Sequence, residues 1–334
     1  GLYEGIVPQL RQEVFLGPPV DLTAADFDGD QRLDLVVLAE GGQRVQVQLQ
    51  GADGLLRPGL GADVGPDATA VAMLEPFGTL QRVLVAEPEL GRLRLLEGHP
   101  QENLLSRGAW FVGSRFEHLA VADFDGDGRL EVVAPQPGDD RVAVIRQNGA
   151  GLLAYPSVPV GFAADGLSVA PATARAPEQV VVNHSVAPAL RFYLPYDGSY
   201  RLQATREAPL DLDDLGWFDV DGDGALDLTC LQPAAGVLVF PGRDGGGVED
   251  PYLIPVAGEP TTYAFGDVDG DGIADVALGE ATESRVMLRR GDGQGGFAEF
   301  LSVGTSLPPR LVRMADLDPV SYTHLRAHET VLDL

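Results

Sequence analysis

Along most of the chain apolar and polar positions alternate with a period of two, in short runs broken by Gly, Pro, Asp and Asn; HLAVA, LEVVAP and RVAVIRQ follow one another in this way. Successive side chains of an extended strand point to opposite faces, so the pattern predicts short β-strands. The turns between them include GADG, QNGAG, YDGSY, RDGGG and GDGQGG. Asp-Gly and Asn-Gly are the chemistry that tight hairpins use for positive φ.

The strands form a repeat. AADFDGDQRLDLVV, VADFDGDGRLEVVA, WFDVDGDGALDLTC and FGDVDGDGIADVAL align without gaps, with acidic runs that open at Asp26, Asp123, Asp219 and Asp267; MADLD opens another at Asp316. The spacings are 97, 96, 48 and 49 residues, which sets a unit of about 48. Two further units are therefore expected near 75 and 171, where VAMLEPFGTLQRVLVAE and SVAPATARAPEQVVVN keep the apolar framework but place Glu75 and Pro171 at the first position and lose the other acids. Four short antiparallel strands per unit at this period predict an all-β fold, a seven-bladed β-propeller with repeats starting near 26, 75, 123, 171, 219, 267 and 316. Because QEVFLGPPVDLTAADFD aligns with AEFLSVGTSLPPRLVRMADLD, the chain should open on the fourth strand of a unit and close its ring by pairing its two ends.

The segment PVSYTHLRAHETVLDL departs from this style, with no Gly and a helical spacing of apolar residues. It resembles a translated sequencing adapter over Val320 to Thr330. Residues 1–318 are accordingly read as the propeller, with its last blade truncated, and 319–334 as a non-native tail.

The 334 residues carry 50 Asp and Glu against 23 Lys and Arg, a formal charge of −27. That field repels phosphate backbones and anionic lipid, which argues against nucleic-acid and membrane-surface roles, and it attracts cations. No stretch has the length and apolarity of a membrane span, and the single Cys230, in the apolar run ALDLTCL, allows no intrachain disulfide.

The acids have the spacing of a metal loop. Positions 1, 3, 5 and 9 hold Asp26, Asp28, Asp30 and Asp34; Asp123, Asp125, Asp127 and Glu131; Asp219, Asp221, Asp223 and Asp227; and Asp267, Asp269, Asp271 and Asp275. Four converging carboxylates repel one another unless a cation sits among them. Adding a backbone carbonyl at position 7 (Arg32, Arg129, Ala225 and Ile273) gives six or seven oxygens, a set that suits Ca2+ better than the stricter octahedron of Mg2+, so about four Ca2+ sites are expected. An EF-hand is excluded by Val37, Ala134, Cys230 and Leu278 at position 12, where it needs Glu, and by the strand pattern that follows. Gln31 replaces the second glycine of the first loop, which should be the weakest site.

The D-h-D-G-D-G-x-x-D loop at this period resembles the FG-GAP or VCBS repeats of integrin α-subunit-type propellers and of many secreted bacterial proteins, over residues 9 to 318. AFGDVDGD is the nearest match to the Phe-Gly signpost, and the units near 75 and 171 lack the ligands. The resemblance implies an extracellular or cell-surface, calcium-binding ring with a role in binding or cell adhesion.

Other motifs carry less. Arg290-Gly291-Asp292 spells RGD but occupies the third hairpin turn of its unit, and the sequon at Asn183 is read as incidental. Trp110 and Trp217 should pack between blades, while His99, His118 and His184 fall at unrelated places with no nucleophile motif beside them. The expected function is a secreted or surface-exposed binding or scaffold module for a protein or carbohydrate ligand, acting as a monomeric ring. The alternative is the propeller part of a secreted polysaccharide lyase or hydrolase, which a non-repeated cluster of polar residues on one face would favour.

Overall fold

The computed structural model describes residues 9–12, 19–39, 41–77, 79–98, 103–113, 116, 119–122, 131–136, 140–148, 151–161, 164–184, 187–196, 199–209, 211–318, 322–327 and 330–333. It is an all-β propeller of four-stranded antiparallel sheets. Six blades are each built from four consecutive strands. Blade one is Asp21–Ala25, Asp34–Ala39, Arg44–Gln50 and Leu56–Asp63. Blade two is Ala70–Phe77, Leu80–Glu87, Arg92–Gly98 and Leu105–Phe111. Blade three is Ala120–Ala122, Glu131–Gln136, Arg141–Asn148 and Gly151–Pro159. Blade four is Ala164–Ala170, Gln179–His184, Ala189–Tyr196 and Ser199–Glu207. Blade five is Asp213–Phe218, Asp227–Gln232, Gly236–Phe240 and Tyr252–Pro255, and blade six is Pro260–Gly266, Asp275–Glu280, Arg285–Gly291 and Phe297–Gly304.

The seventh unit expected from the spacing is not a blade of this kind, so six blades replace the seven expected. What stands there is a composite sheet of the chain ends, in which Val312–Asp318, Tyr322–Ala327 and Thr330–Asp333 are followed at the edge by Gln9–Gln12. The chain thus opens on an outermost strand, as the alignment of its first residues requires. The sheet has four strands where a truncated one was expected, because 322–327 and 330–333, set aside as a tail, supply two of them.

The core lies between blades. Period-two alternation sends Val36 and Leu38 to the cluster shared with blade two, while Leu35, Val37 and Ala39 face the other way. Likewise Leu228 and Cys230 pack towards blade four, and Leu231 towards blade six. Second strands are therefore apolar on both faces, and those of blades one, three and six are buried along their whole length. Trp110 packs on the cluster between blades two and three and Trp217 on that between four and five, as expected.

The first strands of consecutive blades adjoin around a central cavity of about 720 Å³. Their inward edges leave N–H groups that need acceptors. Five residues before the acidic run, blade one places Asp21, whose Oδ2 accepts the Val71 N–H of blade two at 2.9 Å. At the same repeat position Thr262 Oγ1 accepts the Val312 N–H at 3.2 Å, and the Asp214 carboxylate takes the Tyr263 N–H. One side-chain position thus staples a blade to the next.

Blade two shows what replaces an acidic loop. In blade one Ala25 pairs with Asp34 across residues 26–33; in blade two Leu74 pairs with Arg82, and the strands run on to a tight turn at Phe77 and Leu80. Arg82 therefore occupies the place of Asp34. It is 1% exposed and donates from Nε to Glu97 Oε1 at 3.0 Å. Glu97 also accepts from Arg107 at 2.8 Å. Nearby, the buried Glu87 accepts from Arg92, from Arg94 at 2.6 Å and from the Gly65 N–H at 2.6 Å. Burial alone would raise the Glu87 carboxyl, but Arg94, Arg92 and that N–H together hold it below its ordinary range.

Candidate metal centres

Each acidic loop connects the first and second strands of its blade. Three are described: 26–34, 219–227 and 267–275. Asp123, Asp125, Asp127 and Arg129 of the remaining loop lie outside the described residues; Glu131 is buried and lies 3.6 Å from Arg146.

Position 1 wraps the loop. Asp267 Oδ1 accepts the N–H groups of Gly270 (2.8 Å) and Asp271 (3.1 Å), and its Oδ2 that of Gly272 (2.8 Å). Asp26 repeats this with Gly29, Asp30 and Gln31, and Asp219 keeps the bond to Gly224 at 2.9 Å. Position 5 accepts the N–H of position 7, as in Asp223 to Ala225 at 2.7 Å and Asp271 to Ile273 at 2.8 Å. Position 9 is a latch. Asp227 takes the N–H of Val220 on one oxygen and of Gly242 on the other, at 2.8 and 2.7 Å. Asp34 does the same with Phe27 and Gln50, and Asp275 with Val268 and Gly291. Phe27, Val220 and Val268 are buried pins that hold each loop down.

The turn requires positive φ at two positions. Gly222 and Gly224 (74° and 86°) and Gly270 and Gly272 (74° and 83°) supply it; the first loop has Gly29 at 79° but Gln31 at 69°. A side chain in the left-handed region costs about 1–2 kcal/mol, less the chain entropy that glycine adds. Gln31→Gly should therefore stabilise the protein by up to about 1 kcal/mol in urea unfolding, and Gly272→Ala should destabilise it by a similar amount. A loss of stability in Gln31→Gly would show that Gln31 is not strained.

Ligand oxygens of Asp26, Asp28 and Asp34, of Asp219, Asp221 and Asp227, and of Asp267, Asp269 and Asp271 lie within 4.8 Å of one another. Positions 1 and 3 are common to all three groups; position 9 joins in two and position 5 in one. Two observations test whether these residues fit a metal ion. Asp219 Oδ1 is buried and has no hydrogen-bond partner, a costly state for a carboxylate oxygen that a cation relieves. Burial, opposed by the Gly242 and Val220 N–H groups and aided by Asp221 and Asp219, pushes the Asp227 carboxyl up to about 6. Burial is also the largest cause that raises Asp34, Asp275 and Asp28. The donor set is all oxygen, which is what a hard divalent ion takes.

Each described loop also has an arginine of different origin. Arg32 pairs with Asp30 from within the loop, and Arg290 reaches Asp269 at 2.5 Å from the end of the third strand of its own blade. Arg175 comes from the ligand-free loop of blade four, 3.7 Å from Asp223 and 3.5 Å from Asp244. That neighbouring loop is fixed by Gly245 N–H to the Arg175 carbonyl at 2.8 Å and by Gly247 N–H to Gln179 Oε1 at 2.6 Å. Such cations compete with a metal. If the loop 267–275 holds Ca2+, Arg290→Gln should strengthen its binding by about five- to tenfold, from roughly 1 kcal/mol of screened repulsion, as read by calorimetric titration; an unchanged affinity would place the guanidinium outside the ion's field.

Sequence reasoning missed Arg175, Gln179 and Tyr252. The Tyr252 hydroxyl is buried without a hydrogen-bond partner; burial first, then Asp227 and Asp221, push its phenol up to about 12. None of the three lies within the motif, so only the packing of blades reveals them. Arg290 and Gly291 end the third strand of blade six, and of the RGD residues expected in the turn Asp292 alone follows that strand: Arg290 also stacks 4.8 Å from the Phe300 ring centre, and Asp292 accepts the N–H groups of Gln294 and Gly296. Asn183 of the sequon donates to the Leu212 carbonyl at 3.2 Å, and His184 is buried; His99 and His118 lie outside the described residues.

The family model for an FG-GAP-like repeat matches residues 219–278, which span the acidic loops of blades five and six. The chain is a β-propeller with an FG-GAP-like repeat over residues 219–278. No curated protein matches it in sequence. The propeller is similar in fold to the crystal structure of BBS1N in complex with ARL6DN, soaked with lead, at 11% identity and a TM-score of 0.65, with 98% of this chain and 94% of that chain covered. A second crystal of the same complex, soaked with mercury, matches at 10% identity and a TM-score of 0.66 over the same shares. Among the described residues, no helix is long and apolar enough to cross a membrane.

Proposed function

We propose that this propeller is a binding or scaffold module outside the cell or at its surface, a monomeric ring whose loops 26–34, 123–131, 219–227 and 267–275 hold Ca2+ and whose ligand is a protein or a glycan. The observation that carries the metal reading is the buried, unpartnered Asp219 Oδ1 beside Asp221 and Asp227. The acids, carbonyl-bearing turns and tight backbone favour Ca2+ over Mg2+, which keeps its waters. Exposed loop sites of this type bind in roughly the 10⁻⁵ to 10⁻³ M range, matched to extracellular calcium. A protein ligand is supported by the similar BBS1N propeller, whose structure is a complex with ARL6DN.

Equilibrium dialysis against about 1–10 mM Ca2+ tests this. Up to four ions per chain are expected, and Asp221→Asn should remove one. No ion bound in that range would overturn the metal reading.

A further inference from the structure

The central cavity holds charge that neither the repeat nor the metal loops explain. Three residues before each acidic run, the six blades carry Thr23, Ala72, Ala120, Ser168, Gly216 and Ala264, all small, and the composite sheet carries Arg313. Ala120 and Ser168 line the central cavity, and at the same repeat position Arg313 enters it and lies 4.0 Å from Asp214 Oδ1, across blade six. Its Nη1 donates to the Val312 carbonyl, at 3.1 Å. Arg310, on the same wall, is exposed and makes no hydrogen bond or ion pair among the described residues. Facing these guanidinium groups are Asp21 of blade one and Asp214 of blade five.

The staple itself does not require an acid. Both acids occupy the stapling position, yet blade six performs the same staple with the neutral Thr262. Burial, the largest cause, raises both carboxyls, so the charge is held at a cost. Asp214 also sits at φ 45° inside an irregular register between Asp213 and Gly216. Bulges and left-handed non-glycine residues persist where they aim a side chain.

We propose that this cavity binds a small zwitterion, an amino acid or a short peptide with free ends, its carboxylate on Arg313 and Arg310 and its ammonium on Asp214 and Asp21. A planar guanidinium presents paired donors that match a carboxylate. The volume of about 720 Å³ lies within the 300–1,000 Å³ of small-ligand sites and suits a peptide of a few residues. Neither acid nor arginine belongs to a metal loop, so the inference stands apart from the calcium reading.

Calorimetric titration with trialanine, N-acetyl-trialanine and trialanine amide tests it. Trialanine should bind once per chain, and removing either end charge should weaken binding at least about tenfold, a loss of roughly 1.4 kcal/mol. Asp214→Asn keeps an acceptor for the Tyr263 N–H and tolerates the left-handed backbone while removing the charge, so it should keep the melting temperature and lose about tenfold in trialanine affinity; Arg313→Met should lose at least as much. The proposal is overturned if trialanine does not bind by about 10 mM, if the blocked peptides bind as well, or if Asp214→Asn binds unchanged. Should Arg313→Met fail to fold, Asp214→Asn decides alone.

Discussion

Arg82→Ala is expected to destabilise the protein by about 3 kcal/mol or more, although no ligand or loop is touched. Arg82 and Glu97 are 2% and 4% exposed at their side chains and share a 3.0 Å bond. Breaking a buried pair by removing one partner leaves an uncompensated charge and costs about 3–5 kcal/mol. Arg107, half-exposed, stays with Glu97 at 2.8 Å, which moves the loss towards the lower end. A buried pair replaced by apolar groups of similar volume is often neutral, so Arg82→Met with Glu97→Leu should recover most of the stability. Urea unfolding of the single and double variants measures both. A loss under about 1 kcal/mol for Arg82→Ala would mean that the pair behaves as a surface salt bridge.

This blade also marks what the sequence allowed to be read. The spacing locates a unit near 75, and alternation in VLVAE predicts its buried strand. That Arg82 replaces Asp34 is hidden, because a shortened turn moves the register by one residue and only the pairing of Leu74 with Arg82 shows it. Position 9 was legible as an acid but not as a latch, since its partners Gln50, Gly242 and Gly291 lie 15 or 16 residues further on, beyond the motif. The number of blades was misread for a related reason. A spacing counts units without saying which strands fill them, and the unit opening at Asp316 is completed by segments from both chain ends. Apolar alternation is a local signal; contacts across a ring between residues as distant as Asp21, Asp214 and Arg313 are not.

Metal depletion should reverse the effect of pH on stability. A carboxyl raised by burial binds its proton more tightly in the folded state than in the unfolded one. Its stabilising share is therefore complete below the unfolded pKa of about 3.9 and is lost as pH rises through the folded value. For Asp227, raised to about 6, that loss is on the order of 2–3 kcal/mol between about pH 4 and 6.5. Asp34 and Asp275 are raised for the same first cause and add to it with the same sign. Glu87, held low, acts only on the acid side, where its contribution disappears as pH falls. In a chelator the melting temperature should thus fall by about 4–6 °C from pH 5 to 7.5. On the proposed reading, Ca2+ would bind the deprotonated acids and stabilise the folded state by mass action, more at pH 7.5 than at pH 5. With about 5 mM Ca2+, several times the upper dissociation constant of such loops, the curve should flatten or turn upward. Asp227→Asn removes the titrating group, so it should weaken both the pH dependence in chelator and the response to calcium. Parallel pH curves with and without Ca2+ would show that these carboxylates do not hold the ion, because protons and metal would then not compete for the same oxygens.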